Sequence, residues 1–238
     1  MSIAENLEII AENIPKVYEA GKKSEYDTFW DEYQSNGNRT DYNRAFCYLG
    51  WTNENFKPKY VIKPKDATQL FYRASKLVGE VEGVINCDFS ECTNFTQTFQ
   101  DMSKITRIGI LDMRKATTVS NTCVYCSELV TVDKIIMNET TTSPGFVSDT
   151  KLTNVTFEGV IGRNISFSAS PLSVASMKSL ITHLKDYNGS SEYSCTLTLK
   201  SSAFSALEAE GATAEYNGVA CTWEELVDNK KWNLTLAS

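Results

Sequence analysis

A single histidine, His183, stands in this 238-residue chain. One imidazole excludes any site that needs two within one chain, and a Ser-His-Asp or Cys-His arrangement would hang on that one residue. It falls in the helical pattern "MKSLITHLKDY", three residues after Leu180, where a surface or partly packed ring is the usual outcome. Basic runs are missing as well; the longest are pairs such as Lys22-Lys23, Arg114-Lys115 and Lys230-Lys231. With a formal charge of −7, this argues against a nucleic-acid partner and against adhesion to an anionic membrane. No stretch approaches ~18 consecutive apolar residues, so no transmembrane helix is predicted.

Other absences narrow the chemistry further. Neither G-x-x-x-x-G-K-[ST] nor G-x-G-x-x-G occurs, and no loop of alternating acidic residues would hold calcium. The close carboxylates Glu80 and Glu82, Glu208 and Glu210, and Glu224-Glu225 read as solvated faces of an acidic protein. The opening "MSIAENLEIIAENIPKVYEAGKK" lacks the basic start and continuous apolar core of a secretory signal. Synthesis in the cytoplasm without general export is therefore expected. The cysteines, at 47, 87, 92, 123, 126, 195 and 221, are odd in number, which favours reduced buried thiols over a disulfide framework. Seven N-x-S/T sequons, at Asn38, Asn94, Asn138, Asn154, Asn164, Asn188 and Asn233, carry no glycosylation reading without secretion. The expectation is a protein with no catalytic residue, no metal and no cofactor.

What is present is enough for a substantial core, with 42% apolar and 22% charged residues. Residues 1–36 read as two helices. Ser2 and Glu5 fit a capping box, and Ile3, Leu7, Ile10, Ile14 and Val17 follow 4-3-4-3 spacing, interrupted at Pro15. That stripe either packs on its own domain or makes a homo-oligomer. The second helix, about 24–34, carries Phe29, Trp30 and Tyr33. Residues 37–63 are unusually aromatic, with Tyr42, Phe46, Tyr48, Trp51, Phe56 and Tyr60, and read as a small core capping one end of a domain rather than as a ligand platform.

The middle of the chain repeats. "FYRASKLVGE" from Phe71, "FQDMSKITRI" from Phe99, "CVYCSELVTV" from Cys123 and "FVSDTKLTNV" from Phe146 share the pattern F/C-x-x-x-S/T-x-L/I. Ile108, Val132 and Val155 recur three residues after its last position. The last three copies run into "TRIGILDM", "VTVDKIIMN" and "TNVTFEGV", whose β-branched residues and near-alternation predict strands. One such unit cannot bury its apolar edge alone, so neighbours are expected to stack Leu on Leu and Phe on Phe.

Cys123 and Cys126 have C-x-x-C spacing, and with Cys87 and Cys92 they could supply four thiolates to zinc. The repeat argues otherwise. Cys123 stands where the other copies have Phe71, Phe99 and Phe146, and Cys126 stands where they have Ala74, Met102 and Asp149. Buried free cysteine behaves as a small hydrophobe and suits such positions. Beyond the repeat, a helix from about 173 to 185, a strand "SCTLTLK", a helix "SSAFSALEAEGA" and a helix opened by a Thr222–Glu225 capping box precede a final strand carrying Trp232, Leu234 and Leu236.

"FQDMSKITRIGILDM" and "CVYCSELVTVDKI" resemble the BspA-like leucine-rich repeats of bacteria, over about residues 64–160. The proline that follows the strand in that family is lacking, and Phe becomes Cys123 in one unit. The leading aromatic stretch and the closing strand after "TWEELVDNKKW" are similar to repeat proteins of phages and prophages of gut bacteria. The resemblance implies a mixed α/β fold: a short right-handed leucine-rich-repeat solenoid over 64–168, a helical N-terminal segment, and a small α+β C-terminal cap over 169–238. It further implies a protein without enzymatic activity, in or near a virion, but identifies no ligand; the expectation is a scaffold that binds a protein or surface glycan, in a virion or the bacterial cytoplasm. Alternatives are a cell-surface adhesion module, which needs a leader for export, and an enzyme.

Overall fold

The computed structural model describes residues 42–47, 50–146, 148–149, 151–211 and 213–238. The two helices and oligomerisation stripe expected within residues 1–36, and Tyr48 of the aromatic stretch, lie outside the described residues. The fold is mixed α/β. Its elements in chain order are α1 (Glu82–Ile85), β1 (Arg107–Asp112), β2 (Thr131–Met137), β3 (Asn154–Gly159), β4 (Ile165–Phe167), α2 (Val174–Thr182), β5 (Cys195–Lys200), α3 (Ser201–Ala209), β6 (Ala214–Tyr216), β7 (Val219–Cys221), α4 (Trp223–Asn229) and β8 (Trp232–Ala237).

Parallel pairing dominates. β1, β2 and β3 form one parallel sheet in that order, and β4, β5 and β8 form another. Ile108, Val132 and Val155, aligned in sequence, are register partners across the first sheet. Each faces inward and is buried, as β-branched residues on the packed face of a pleat should be. The register of the strands is therefore the register of the sequence repeat. Leu77, Ile105, Leu129 and Leu152, the last positions of the shared pattern, are all fully buried.

Before the strands, the chain is irregular, but its layers remain tied by backbone bonds. Phe71 N–H donates to Thr98 O at 2.8 Å and Phe99 N–H to Thr122 O at 2.8 Å. Buried hydroxyls follow the same spacing, with Thr98 Oγ1 donating to Ala67 O and Thr122 Oγ1 to Phe95 O. These bonds satisfy backbone groups that neither helix nor sheet would reach. The phenylalanines stack along the same direction: Phe71 on Phe99 with centroids 5.6 Å apart, and Phe146 on Phe167 at 5.2 Å. Phe46 lies on Phe71 at 5.4 Å, and its N–H donates to Leu70 O, so the layering begins one step earlier than the repeat predicts.

The first copy departs from the others. In place of a strand it has α1, a single turn, whose Ile85 carbonyl presses on β1. A side chain on Gly109 would put Cβ 1.9 Å from Ile85 O, so only glycine admits this approach. In the aromatic stretch Trp51 is 1% exposed and meets Phe46 and Phe56 edge-on at 5.8 and 5.7 Å. Tyr42, Phe46, Trp51 and Phe56 are buried together, whereas Tyr60 is exposed.

The expected C-terminal helices and strands form, with α2 ending at Thr182 rather than near 185 and an additional hairpin of β6 and β7. Ser173 Oγ accepts from Ser176 N–H at the start of α2, and the Thr222–Glu225 capping box opens α4. The core column continues through this part: Phe167, Leu199 and Leu236 are register partners, as are Ile165, Leu197 and Leu234. Lys230 fastens the region, donating from Nζ to the carbonyls of Ile181, Thr182 and Leu184 at 2.8–3.1 Å. Burial pushes its ammonium below the usual lysine range.

Candidate functional site

The residues that raise a question of chemistry are the cysteines and His183. Cys123 and Cys126 are fully buried, and Cys126 Sγ donates to Phe99 O at 3.1 Å. Cys87 Sγ donates to Gly83 O and Cys92 Sγ to Asn94 O, each at its own place in the stack. Burial pushes all four thiols up, Cys92 to about 12, which keeps them protonated and disfavours thiolate chemistry. Among the described residues no three His, Cys, Asp or Glu side chains gather in a way that could hold a metal. Cys123 fills the layer between Phe99 and Phe146. His183 caps the end of α2, its Nδ1 2.7 Å from Ser179 O, so its ring is tied to the helix.

The adjoining copy, built on Phe146, holds a group that the repeat did not flag. Asp149, aligned with Cys126, is fully buried. Its Oδ1 accepts from Cys126 N–H at 2.9 Å, while Oδ2 has no partner. Burial raises its carboxyl to about 8, so it is mainly a neutral acid at neutral pH.

The outer surface of the layers is where side chains are presented. In the layers of Phe71, Phe99 and Cys123 two positions adopt the left-handed conformation without glycine, and that of Phe46 shows the first of them. Two residues before the ring position stand Arg44, Gln69, Gln97 and Asn121, with φ of 52–55°. Two residues after it stand Arg73, Asp101 and Tyr125, with φ of 57, 62 and 63°. The first column is bonded along its length, Gln69 Nε2 donating to Gln97 Oε1 at 2.7 Å. The second opens into a shallow groove of about 630 Å³, lined by Arg73, Asp101 and Tyr125 and by Ser75, Ser103, Ser127 and Ser148. Arg73 pairs with Asp101 at 3.2 Å, so their charges offset one another.

Tyr125 is the unusual member. It is 54% exposed, and its left-handed backbone costs an L-residue ~1–2 kcal/mol that glycine would not incur. Its ring therefore adds little to the core and faces the groove. Tyrosine beside a row of serine hydroxyls and one ion pair offers a flat apolar ring with hydrogen-bond donors and acceptors around it. A second cleft, of about 530 Å³, lies between 56–62 and 80–86, but Lys59 and Tyr60 in it already engage other groups.

The left-handed columns carry no glycine, so the usual marker for such turns is absent from the sequence, and the groove was not foreseen. Comparison with family models, with curated proteins and with solved structures finds no match for this chain.

Proposed function

We propose that the chain is a short right-handed leucine-rich-repeat solenoid of the BspA-like kind, acting as a non-enzymatic binding scaffold. The groove beside Tyr125 is its ligand surface, and the ligand is a hydroxyl-rich surface glycan. The observation that carries this reading is the exposed Tyr125 ring, on a left-handed backbone, in one groove with four serines and the Arg73–Asp101 pair. Sugars present a CH face that stacks on an aromatic ring and hydroxyls that bond to groups of this kind. The parallel register of Ile108, Val132 and Val155, and the rings of Phe71 and Phe99, support the stacked-repeat reading.

The biological setting proposed is a phage or prophage particle, as a structural or accessory protein at the tail or host contact. Mass spectrometry of virions purified from an induced host tests it. Stoichiometric copies of this chain are expected. Recovery from the bacterial cell wall instead would move the same scaffold to an adhesion role. Binding of the whole chain to an array of bacterial surface polysaccharides tests the groove, with retention by wild type and loss in Tyr125→Ala as the expected result.

A further inference from the structure

The two parallel sheets end in different ways. At the outer edge of β3, Val155 N–H donates to Ser176 Oγ and Phe157 N–H to Ser179 Oγ, both at 2.9 Å. Thr153 O accepts from Ser173 N–H at 2.8 Å. Helix α2 thus closes that edge. Among the described residues the outer edge of β8 has no such cover. β8 pairs only with β5, and no backbone group of residues 232–237 bonds elsewhere among the described residues. Its sequence, "WNLTLA", contains neither charge nor proline, the devices that blunt open edges.

Its side chains also lack a neighbour among the described residues. Leu236 belongs to the inward column after Phe167 and Leu199, which are buried, yet it is 45% exposed. Leu234 follows buried Ile165 and Leu197 and is only half-buried. One more strand on β8 would complete both columns. Beside this edge runs a groove of about 590 Å³, lined by Trp232 and Leu234 of β8, by Tyr193, and by Glu224, Glu225 and Asp228 of α4. All three carboxylates are on exposed residues. Lys231, at the margin, lies over the Tyr193 ring.

We propose that the outer edge of β8 is a docking strand for an extended basic segment of a protein partner, which adds to the sheet beside Leu234 and Leu236 and sets its cations against Glu224, Glu225 and Asp228. Main-chain bonds to an open edge supply affinity, and alternate side chains supply the choice of partner. The acidic wall selects a basic strand and opposes self-pairing, since two copies joined through β8 would bring their α4 carboxylates to one seam. The chain's net charge of −7 acts in the same direction. This site is separate from the Tyr125 groove and stands without it.

The probe is a peptide of about ten residues alternating Val and Lys, long enough to cover one strand, with a Val/Glu twin as comparison. Added to the whole wild-type protein, the basic peptide should slow hydrogen exchange at β8 amides, and the acidic twin should not. Leu236→Lys and Glu224→Lys should each weaken binding about tenfold without moving the melting temperature. Equal binding of both peptides, or binding without protection of β8, would overturn the proposal. So would a concentration-dependent dimer in light scattering that Leu236→Lys dissolves and the basic peptide leaves intact.

Discussion

The layer built on Phe99 and the layer built on Cys123 occupy equivalent places and are filled in opposite ways. Phe99 is fully buried and stacks on Phe71 with planes 15° apart, and Phe89 meets it edge-on at 5.9 Å. Cys123 is equally buried but brings a small thiol, and its neighbours are the thiol of Cys126 and the carboxyl of Asp149. The demand at this position is burial, and a ring is one way to meet it. Polar atoms enter the core beside Cys123, and one of them, Oδ2 of Asp149 in the adjoining Phe146 copy, has no partner among the described residues. The junction between the cysteine layer and the Phe146 copy should therefore be the weak course of the stack, because an unpaired buried polar atom detracts from the stability its neighbours supply.

Truncation gives the largest expected contrast. Phe99→Ala should lose about 3–5 kcal/mol of unfolding free energy and Cys123→Ala about 1–2, read from denaturant midpoints at constant slope. Similar losses for both would erase the distinction between the layers.

A smaller effect depends on pH. Folding raises the Asp149 carboxyl to about 8, so the folded chain holds a proton that the unfolded chain releases near pH ~4. The stability associated with that proton is fully present below pH ~4 and is lost progressively as pH rises to about 8, after which both states are ionised. Asp149→Asn should flatten the pH profile in that window and raise stability at pH 8 relative to wild type. A wild-type profile already flat from pH 4 to 8 would contradict the placement of this carboxyl.

The smallest effect belongs to the ion pairs that link one layer to the next on the surface. Lys134 pairs with Glu158 at 2.7 Å, but both are solvent-accessible. Lys134→Met should leave the melting midpoint unchanged within error, since such pairs gain little over their hydrated separation.

Much of the stack was legible because its periodicity lies in residue types that burial enforces. The columns Leu77–Leu129–Leu152 and Ile108–Val132–Val155 could be aligned by eye, and the structure pairs the second of them in register. Helices α2 to α4 announced themselves through apolar spacing, and α4 through its capping box. The layer at Phe46 was hidden because the residues that follow it, "CYLGW", do not repeat the S/T-x-L/I half of the pattern. The hairpin of β6 and β7 was missed although Asn217-Gly218, both left-handed, is the strongest local signal for such a turn. Asp149 could not be read as buried from an alignment that places it beside Ala74 and Met102 without saying which polar residue is tolerated. The groove at Tyr125 was beyond reach for a different reason: its backbone is bent by bonds between layers, such as Asp101 N–H to Val124 O, and those exist only once the layers are assembled.

The binding account turns on Tyr125, and one substitution sets its two consequences against each other. Tyr125→Gly removes the ring and relieves the left-handed backbone, so the whole protein should melt higher, by about 1 kcal/mol in free energy, while losing retention on a bacterial surface-polysaccharide array. Higher stability with lost binding is the predicted result. Unchanged binding, or a fall in stability, would contradict it.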